Sequence, residues 1–376
     1  MSARKARRGL AATTVAALAA VVAVVAAGCD DSAAAPPAPA APRVADPSGL
    51  VTTVRTAADG VRVADLINRP RVAGAWPSEA GASGVNGDPL IDKASVENFC
   101  RWRGRRCAIA HAFTDRRGWA PMTTGSGWMF QAFAGFEGAL VISQGLVPEG
   151  RADDLDDCAA GQFDHLWHGF GKLMVDHRRA SSVVRLGWEF NGAFMPWHGG
   201  DPATWTACYR RAAGQIRAAN PEVVLDWTIN AHTTPPNICG GVSTGCYPGD
   251  EWVDIIGIDN YDHYPSSADR AEFDRVAQAP EGLSWLYRFA VRRGKLFSVG
   301  EWGIAPGSAG NPSRENPQFV DWMHQWFAAH SDRLAYEAYF HSCHAGGIQS
   351  TLIGPASAGC RQNPNAAARY RTLFGR

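Results

Sequence analysis

From residue 71 onward, short apolar or β-branched runs recur along the chain, and a stretch with helical spacing lies between most of them. The strand-like runs are 72–76, 107–114, 139–144, 183–189, 223–230, 253–261, 296–301 and 335–341. Among the intervening segments, Phe163, Leu166, Trp167, Phe170, Leu173 and Met174 recur at i, i+3, i+4 and i+7, as do Phe319, Trp322, Met323, Trp326 and Phe327. That spacing predicts two amphipathic helices. Asp201 followed by Pro202, ahead of Trp205, reads as an N-cap and first helical position. Strands that alternate with helices pair in parallel, and eight such units over roughly 300 residues is the size of a (β/α)8 TIM barrel. An open doubly wound sheet would want a glycine-rich phosphate turn after an early strand, and none is present.

Ahead of this pattern the chain reads differently. Arg4, Lys5, Arg7 and Arg8 precede an apolar, Ala-rich run from Leu10 to Ala27, and Gly28 leads into Cys29. The run resembles a bacterial lipoprotein signal, which implies that Cys29 is lipidated and becomes the mature N-terminus; plain secretion and an uncleaved single-span anchor are the alternatives. Residues 29–47 are Ala/Pro-rich without apolar periodicity, as in a partly extended tether. The expected organisation is a signal at 1–28, a tether at 29–47 and one catalytic barrel domain at 48–376. The expected address is outside the cytoplasm, at the cell surface or secreted, with the membrane reached through the lipid anchor.

Cysteine use fits that address. Besides Cys29 there are eight, Cys100, Cys107, Cys158, Cys208, Cys239, Cys246, Cys343 and Cys360, and an even number in an exported chain favours disulfides. Proximity suggests Cys100–Cys107, Cys239–Cys246 and Cys343–Cys360 as loop staples, leaving Cys158 and Cys208 to join two neighbouring helical units. Zinc would want a CxxC pair, and none occurs. The 36 Lys+Arg balance 36 Asp+Glu, which argues against a nucleic-acid partner. A monomer without metal or cofactor is expected.

Catalytic residues of such barrels sit at the C-terminal ends of the strands, so a charge that closes an apolar strand is the feature to seek. Glu189 closes the fourth run, and period-2 alternation puts Arg185, Gly187 and Glu189 on one face. A buried Arg185 then needs an anionic partner. Glu301 closes the seventh run after Phe297, Val299 and Gly300. Two carboxylates facing each other across a barrel mouth match the requirement of retaining glycoside hydrolysis, in which one acid protonates the leaving oxygen while the other attacks the anomeric carbon. Glu189, among Trp188, Phe190 and Trp197, is expected to be raised by desolvation and to act as acid, then base. Glu301 is expected to stay ionised with help from Arg185 and a hydrogen bond from Tyr261.

Three motifs carry a family resemblance: Arg185-Leu-Gly-Trp-Glu189-Phe-Asn191-Gly192 followed by Pro196-Trp197-His198-Gly199, then Val253-Asp254-Ile-Ile-Gly-Ile-Asp259-Asn-Tyr261-Asp262, then Ser298-Val-Gly-Glu301-Trp-Gly303. In order and spacing they resemble glycoside hydrolase family 26, which implies a retaining (β/α)8 enzyme of the 4/7 clan, mostly endo-β-mannanases. The resemblance covers residues 71–376. It implies Glu189 as acid/base, Glu301 as nucleophile and Tyr261 as the residue that orients the nucleophile. Trp188 departs from the pattern, since the family has histidine before the acid/base and the clan asparagine; an indole donates a hydrogen bond but neither accepts one nor titrates. This departure bears on the substrate more than on the chemistry.

A polysaccharide partner calls for aromatic platforms with polar side chains beside them. The candidates are Trp76, Trp128, Trp188, Trp197, Trp302 and Tyr264, with Asn191, His198, Asn230, His232, Asp259 and His341 as polar partners. Asp226 and Thr228 share the inward face of the fifth strand and can serve the buried arginine. His232, His263, His341 and His344 show no diagnostic ligand spacing for a metal. Long Pro/Gly-rich segments at 231–249 and 341–364 are expected to wall a groove. The expected function is an endo-β-glycosidase acting on a β-glycan. The alternative, motivated by Trp188, is a surface polysaccharide-binding lipoprotein on a barrel scaffold without turnover.

Overall fold

The computed structural model describes Trp76 and residues 82–87, 91–308, 315–343, 347–354 and 361–375. The signal, the tether, Cys29, His344 and Cys360 lie outside the described residues. The elements run β1 Ala82–Asn86, α1 Lys93–Arg103, β2 Ile109–Phe113, α2 Trp119–Met122, α3 Gly127–Ala132, β3 Ala139–Gln144, α4 Asp154–Ala160, α5 Asp164–Asp176 and β4 Val183–Leu186. They continue with α6 Pro202–Ala219, β5 Val224–Asn230, β6 Ile255–Tyr261, α7 Arg270–Gln278, α8 Leu283–Arg292, β7 Leu296–Gly303, α9 Pro317–Ala329, β8 Leu334–Phe340 and α10 Pro364–Phe374. All eight strands pair in parallel and in chain order, and β8 closes on β1 through Ser83 opposite Glu337 and Val85 opposite Tyr339. This is the predicted (β/α)8 barrel.

The two helices read from spacing are α5 and α9, and each buries the face that the spacing marked: Trp167, Phe170 and Met174 on one, Phe319, Trp322, Met323, Trp326 and Phe327 on the other. Side chains of this size contribute about 1.5–3 kcal/mol each when buried, which is why the apolar stripes dominate over local propensity. Helix α6 begins as expected, with the Asp201 side chain accepting from Thr204 N at 2.9 Å and Pro202 in the first turn.

Seven of the eight strands fall at the predicted runs, and the first does not. Barrel strand β1 is Ala82–Asn86, whereas 72–75 lie outside the described residues and Trp76 stands in a bend. The segment Ala-Ser-Gly-Val-Asn carries no apolar run because the barrel is tight there. A Cβ on Gly84 would lie 2.2 Å from Cγ1 of Ile109 on β2, so only glycine fits at this point of the β1–β2 seam.

Three disulfides match the predicted pairs: Cys100–Cys107 ties the last turn of α1 to the approach to β2, Cys158–Cys208 joins α4 to α6, and Cys239–Cys246 closes the loop after β5. The second spans 50 positions against 7 for the others, so it restricts the unfolded chain most. Cys343 is also disulfide-bonded. The loop after β5 folds into three short 3-10 turns and is braced by Glu281, whose carboxylate accepts from Thr234 N and Thr234 Oγ1 at 2.6 Å each.

Candidate active site

The barrel interior changes character from bottom to top. At the bottom Ile109, Val141, Val183, Val224, Ile255 and Leu296 form an apolar plug. Above it Asp226 accepts from the hydroxyls of Thr228 at 2.8 Å, Ser298 at 2.6 Å and Tyr336 at 2.6 Å. Above that lies Arg185, fully buried. Its guanidinium donates to Glu301 Oε1 at 2.9 Å, to Ser143 Oγ at 2.8 Å and to Asp259 Oδ2, while Thr228 Oγ1 lies 3.4 Å from Nε. The anionic partners that a buried arginine requires are therefore Asp259 and Glu301. Burial would drive the proton off this guanidinium, but the charges of Asp259 and Glu301 outweigh it and raise its pKa.

Glu189 reaches the barrel mouth by a turn. Strand β4 ends at Leu186, so strand alternation does not extend to Glu189 as the sequence suggested. The chain instead enters the left-handed region at Gly187 (φ 61°) and again at Glu189 itself (φ 54°). Neighbouring strands pin the turn: Gly187 N donates to Gln144 O at 2.7 Å and Glu189 N to Thr228 O at 3.0 Å. A non-glycine residue held at positive φ costs on the order of 1 kcal/mol and persists only where surrounding structure enforces it. The side chain is 7% exposed, and Asn230 Nδ2 donates to its Oε1 at 2.7 Å.

Glu301 arrives by a bulge. On β7, Ser298 faces inward to Asp226, while Phe297 and Val299 pack outward among the helices. Strict alternation would then turn Glu301 outward. Between Ser298 and Glu301, however, β7 runs three residues against two on β6, Gly257 to Asp259, and its register with β8 also slips between Val299 and Trp302. The extra residue returns Glu301 to the interior. Gly300 makes this possible, because a Cβ there would lie 2.6 Å from Arg185 Nε. Tyr261 Oη donates to Glu301 Oε2 at 2.7 Å, so each oxygen of the carboxylate is held by its own donor.

The two carboxyls differ electrostatically. Burial raises Glu189 to about 7, the charge of Glu301 adds to the rise, and the Asn230 amide and Arg185 oppose it. Burial likewise raises Asp259, against the pull of Arg185. Tyr261 is raised by burial and by the Glu301 charge, which keeps it protonated as a donor. His111 is lowered by burial and then by Arg185, so it is neutral: Nδ1–H donates to Gly300 O at 3.1 Å, and Nε2 accepts, with Ser143 Oγ at 2.8 Å and Arg185 Nη1 at 3.0 Å. Both glutamates open into one cavity of about 460 Å³, walled by Phe113, Arg116, Trp128, Trp188 and Met195.

Residues 180–297 match the family model for glycosyl hydrolase family 26. The matched segment holds Arg185, Glu189, Asp259 and Tyr261, and Glu301 follows just beyond it. A search among curated proteins finds no match. Among solved structures, a modular endo-β-1,4-mannanase from Cellulomonas fimi superposes with a TM-score of 0.58 at 16% identity, over 78% of this chain and 71% of that one. The catalytic domain of the family 26 endo-β-1,4-mannanase from Bacillus sp. JAMB-750 gives 0.56 at 14% identity, over 79% and 86%. At such identities the likeness carries the fold, and the family match identifies the barrel as that of a glycoside hydrolase.

The expected site residues divide into three groups. Arg185, Glu189, Asn230, Asp259, Tyr261 and Glu301 converge at the barrel mouth, with Trp188 and Trp128 on the cavity wall. Several expected sugar contacts are packing residues instead. Trp302 is wedged against Phe327, Tyr339 and Phe374 behind the barrel wall, Trp76 packs on Phe327, and Trp197 is fully buried with its Nε1 donating to Trp188 O at 2.8 Å. Asn191 straps the turn to β5, donating to Asn230 O at 2.9 Å and accepting from Asn230 N at 2.8 Å. His341 is buried against Phe99, and its Nδ1 accepts from Leu352 N at 3.1 Å. Outside the cavity wall, His198 and His232 are half-buried on the loops after β4 and β5, and Tyr264 is exposed after β6.

Sequence reasoning missed His111, Ser143, Phe113 and Arg116. The signal for the first two was available: His111 and Ser143 are polar residues on the inward face of otherwise apolar strands, in phase with Ile109 and Val141. Arg116 gave none, since its place over Trp188 at 5.7 Å and Trp197 at 5.8 Å, with Glu149 2.9 Å away, depends on how two distant loops meet.

Proposed function

We propose that this glycoside hydrolase is a retaining endo-β-glycosidase that cleaves a mannanase-type β-glycan by double displacement. The observation that carries the reading is the pair of unlike carboxyls in one cavity: Glu189, desolvated and raised to about 7, and Glu301, held by Arg185 and Tyr261. In the first step the Glu189 carboxylic acid gives its proton to the glycosidic oxygen as the C–O bond breaks, and a Glu301 oxygen bonds to the anomeric carbon. In the second step Glu189, now a carboxylate, takes a proton from water while the water oxygen attacks that carbon and releases Glu301. The activity of the two mannanases of similar fold supports a β-1,4-mannan as the first polymer to try. The exposed Trp128 and the buried Trp188 on the cavity wall suit the apolar faces of sugar rings.

The test is turnover on a panel of β-mannan, β-glucan and β-xylan with product sizing. Wild-type activity with a loss on the order of 10⁴-fold in Glu301→Ala is expected, and NMR of the first product should show the β-anomer. Unchanged turnover in Glu301→Ala, or glycan binding without product on every polymer, overturns the reading. We further propose an extracytoplasmic address, supported by the three disulfides, with a lipid at Cys29 as its anchor; metabolic labelling with a palmitate analogue, lost in Cys29→Ala, tests it.

A further inference from the structure

Behind the nucleophile strand the barrel wall holds a buried carboxyl that the double displacement does not use. Glu337 on β8 has no exposed surface, and its Oε2 accepts from Trp302 Nε1 at 2.5 Å. Trp302 directly follows Glu301 and is itself fully buried. Glu337 is also the register partner of Val299 on one side and of Ser83 on the other. It therefore stands opposite the place where β7 carries its extra residue, since the β7–β8 register slips between Val299 and Trp302. On the far side, Ser83 Oγ accepts from the buried Arg103 Nη1 at 3.0 Å, which ties this corner to α1.

A buried acid is costly unless it is hydrogen-bonded, and here Trp302 supplies the donor while Ser83 and Arg103 stand alongside. Packing alone would be served by an apolar side chain of similar volume. What the carboxyl adds is direction, because the Trp302 indole has a single N–H and one ring orientation that satisfies it. We propose that Glu337 is a positioning residue for the nucleophile: by accepting the Trp302 N–H it fixes the residue next to Glu301 and holds the bulge that turns the Glu301 carboxylate into the cavity. This inference rests on Glu301 being the nucleophile. Burial raises Glu337 to about 7, although Ser83, Trp302, Arg103 and Trp76 favour its charged form. Because a protonated carboxyl still accepts through its carbonyl oxygen, a glutamine at this position preserves the contact.

The experiment compares Glu337→Gln, Glu337→Leu and Trp302→Phe with wild type, using kcat and KM on whichever polymer of the mannan, glucan and xylan panel is turned over. Rates are normalised to the folded fraction from thermal melts. Glu337→Leu and Trp302→Phe are expected to lower kcat roughly 10- to 100-fold, the range a small misplacement of a reacting group produces, with KM within about twofold. Glu337→Gln is expected to restore kcat to within about threefold. Wild-type kcat in folded Glu337→Leu, or in Trp302→Phe should the leucine variant fail to fold, overturns the inference. So does a glutamine variant as slow as the leucine one. If Glu301→Ala is inactive while these variants are unaffected, only the positioning role falls; if Glu301→Ala is fully active, the catalytic reading falls with it.

Discussion

The ends of β4 and β7 present the same chemical group to the same cavity by opposite means. β4 stops after four residues, and a turn with two left-handed residues delivers Glu189. β7 continues for eight residues and inserts one extra between its neighbours to bring Glu301 round. The turn leaves Glu189 with one amide donor in a desolvated spot, so the carboxyl is raised and carries a proton near neutrality. The bulge sets Glu301 between a guanidinium and a phenol. On the proposed mechanism, backbone geometry thus separates the roles: an acid is made by withholding partners, and a nucleophile is held by supplying them.

The comparison breaks most severely at Arg185, the node under the bulge. Arg185→Met should cost about 3–5 kcal/mol in chemical denaturation, because it leaves the buried Asp259 and Glu301 without their cation; a loss below about 1 kcal/mol would show that these carboxyls are held by other means. On the turn side, kcat/KM should fall as pH rises through about 7, where Glu189 loses the proton it must donate. The same shift has a sign for stability. A carboxyl raised above its unfolded value of 4.5 favours folding below that value and loses the contribution as pH rises through about 7. Glu189→Gln should therefore gain stability relative to wild type between pH 5 and pH 8, and parallel denaturation curves at the two pH values would refute this. The smallest effect is expected at the cavity rim, where Trp128→Ala should raise KM about fivefold with kcat little changed, the worth of one ring stack.

The parts of the site that were legible along the chain are those whose chemistry conflicts with their surroundings. Glu189 and Glu301 stood out because charges close apolar runs, and Arg185 because alternation put a cation on the inward face below Glu189; all three converge on the mouth. The aromatic candidates were harder, since Trp76, Trp197 and Trp302 have the composition of sugar platforms and the burial of core. An indole at a strand end can face either way, and the choice is made by neighbours such as Phe327 and Tyr339 that lie far off in the chain. β1 escaped notice for a related reason, as its seam with Ile109 on β2 requires glycine at position 84 and so breaks the apolar signature.

Periodicity by itself determined the barrel class, seven of its strands and the helices α5 and α9, because burying apolar stripes against a parallel sheet leaves few other solutions. Residue type by itself determined which groups can do acid–base and nucleophilic work. Only the tertiary structure decided that Glu301 faces inward, since the face of a strand residue past a bulge depends on its neighbours' register and not on its own alternation. It also decided that Glu189 is raised, because that follows from how few donors and how little water the surrounding strands leave to it.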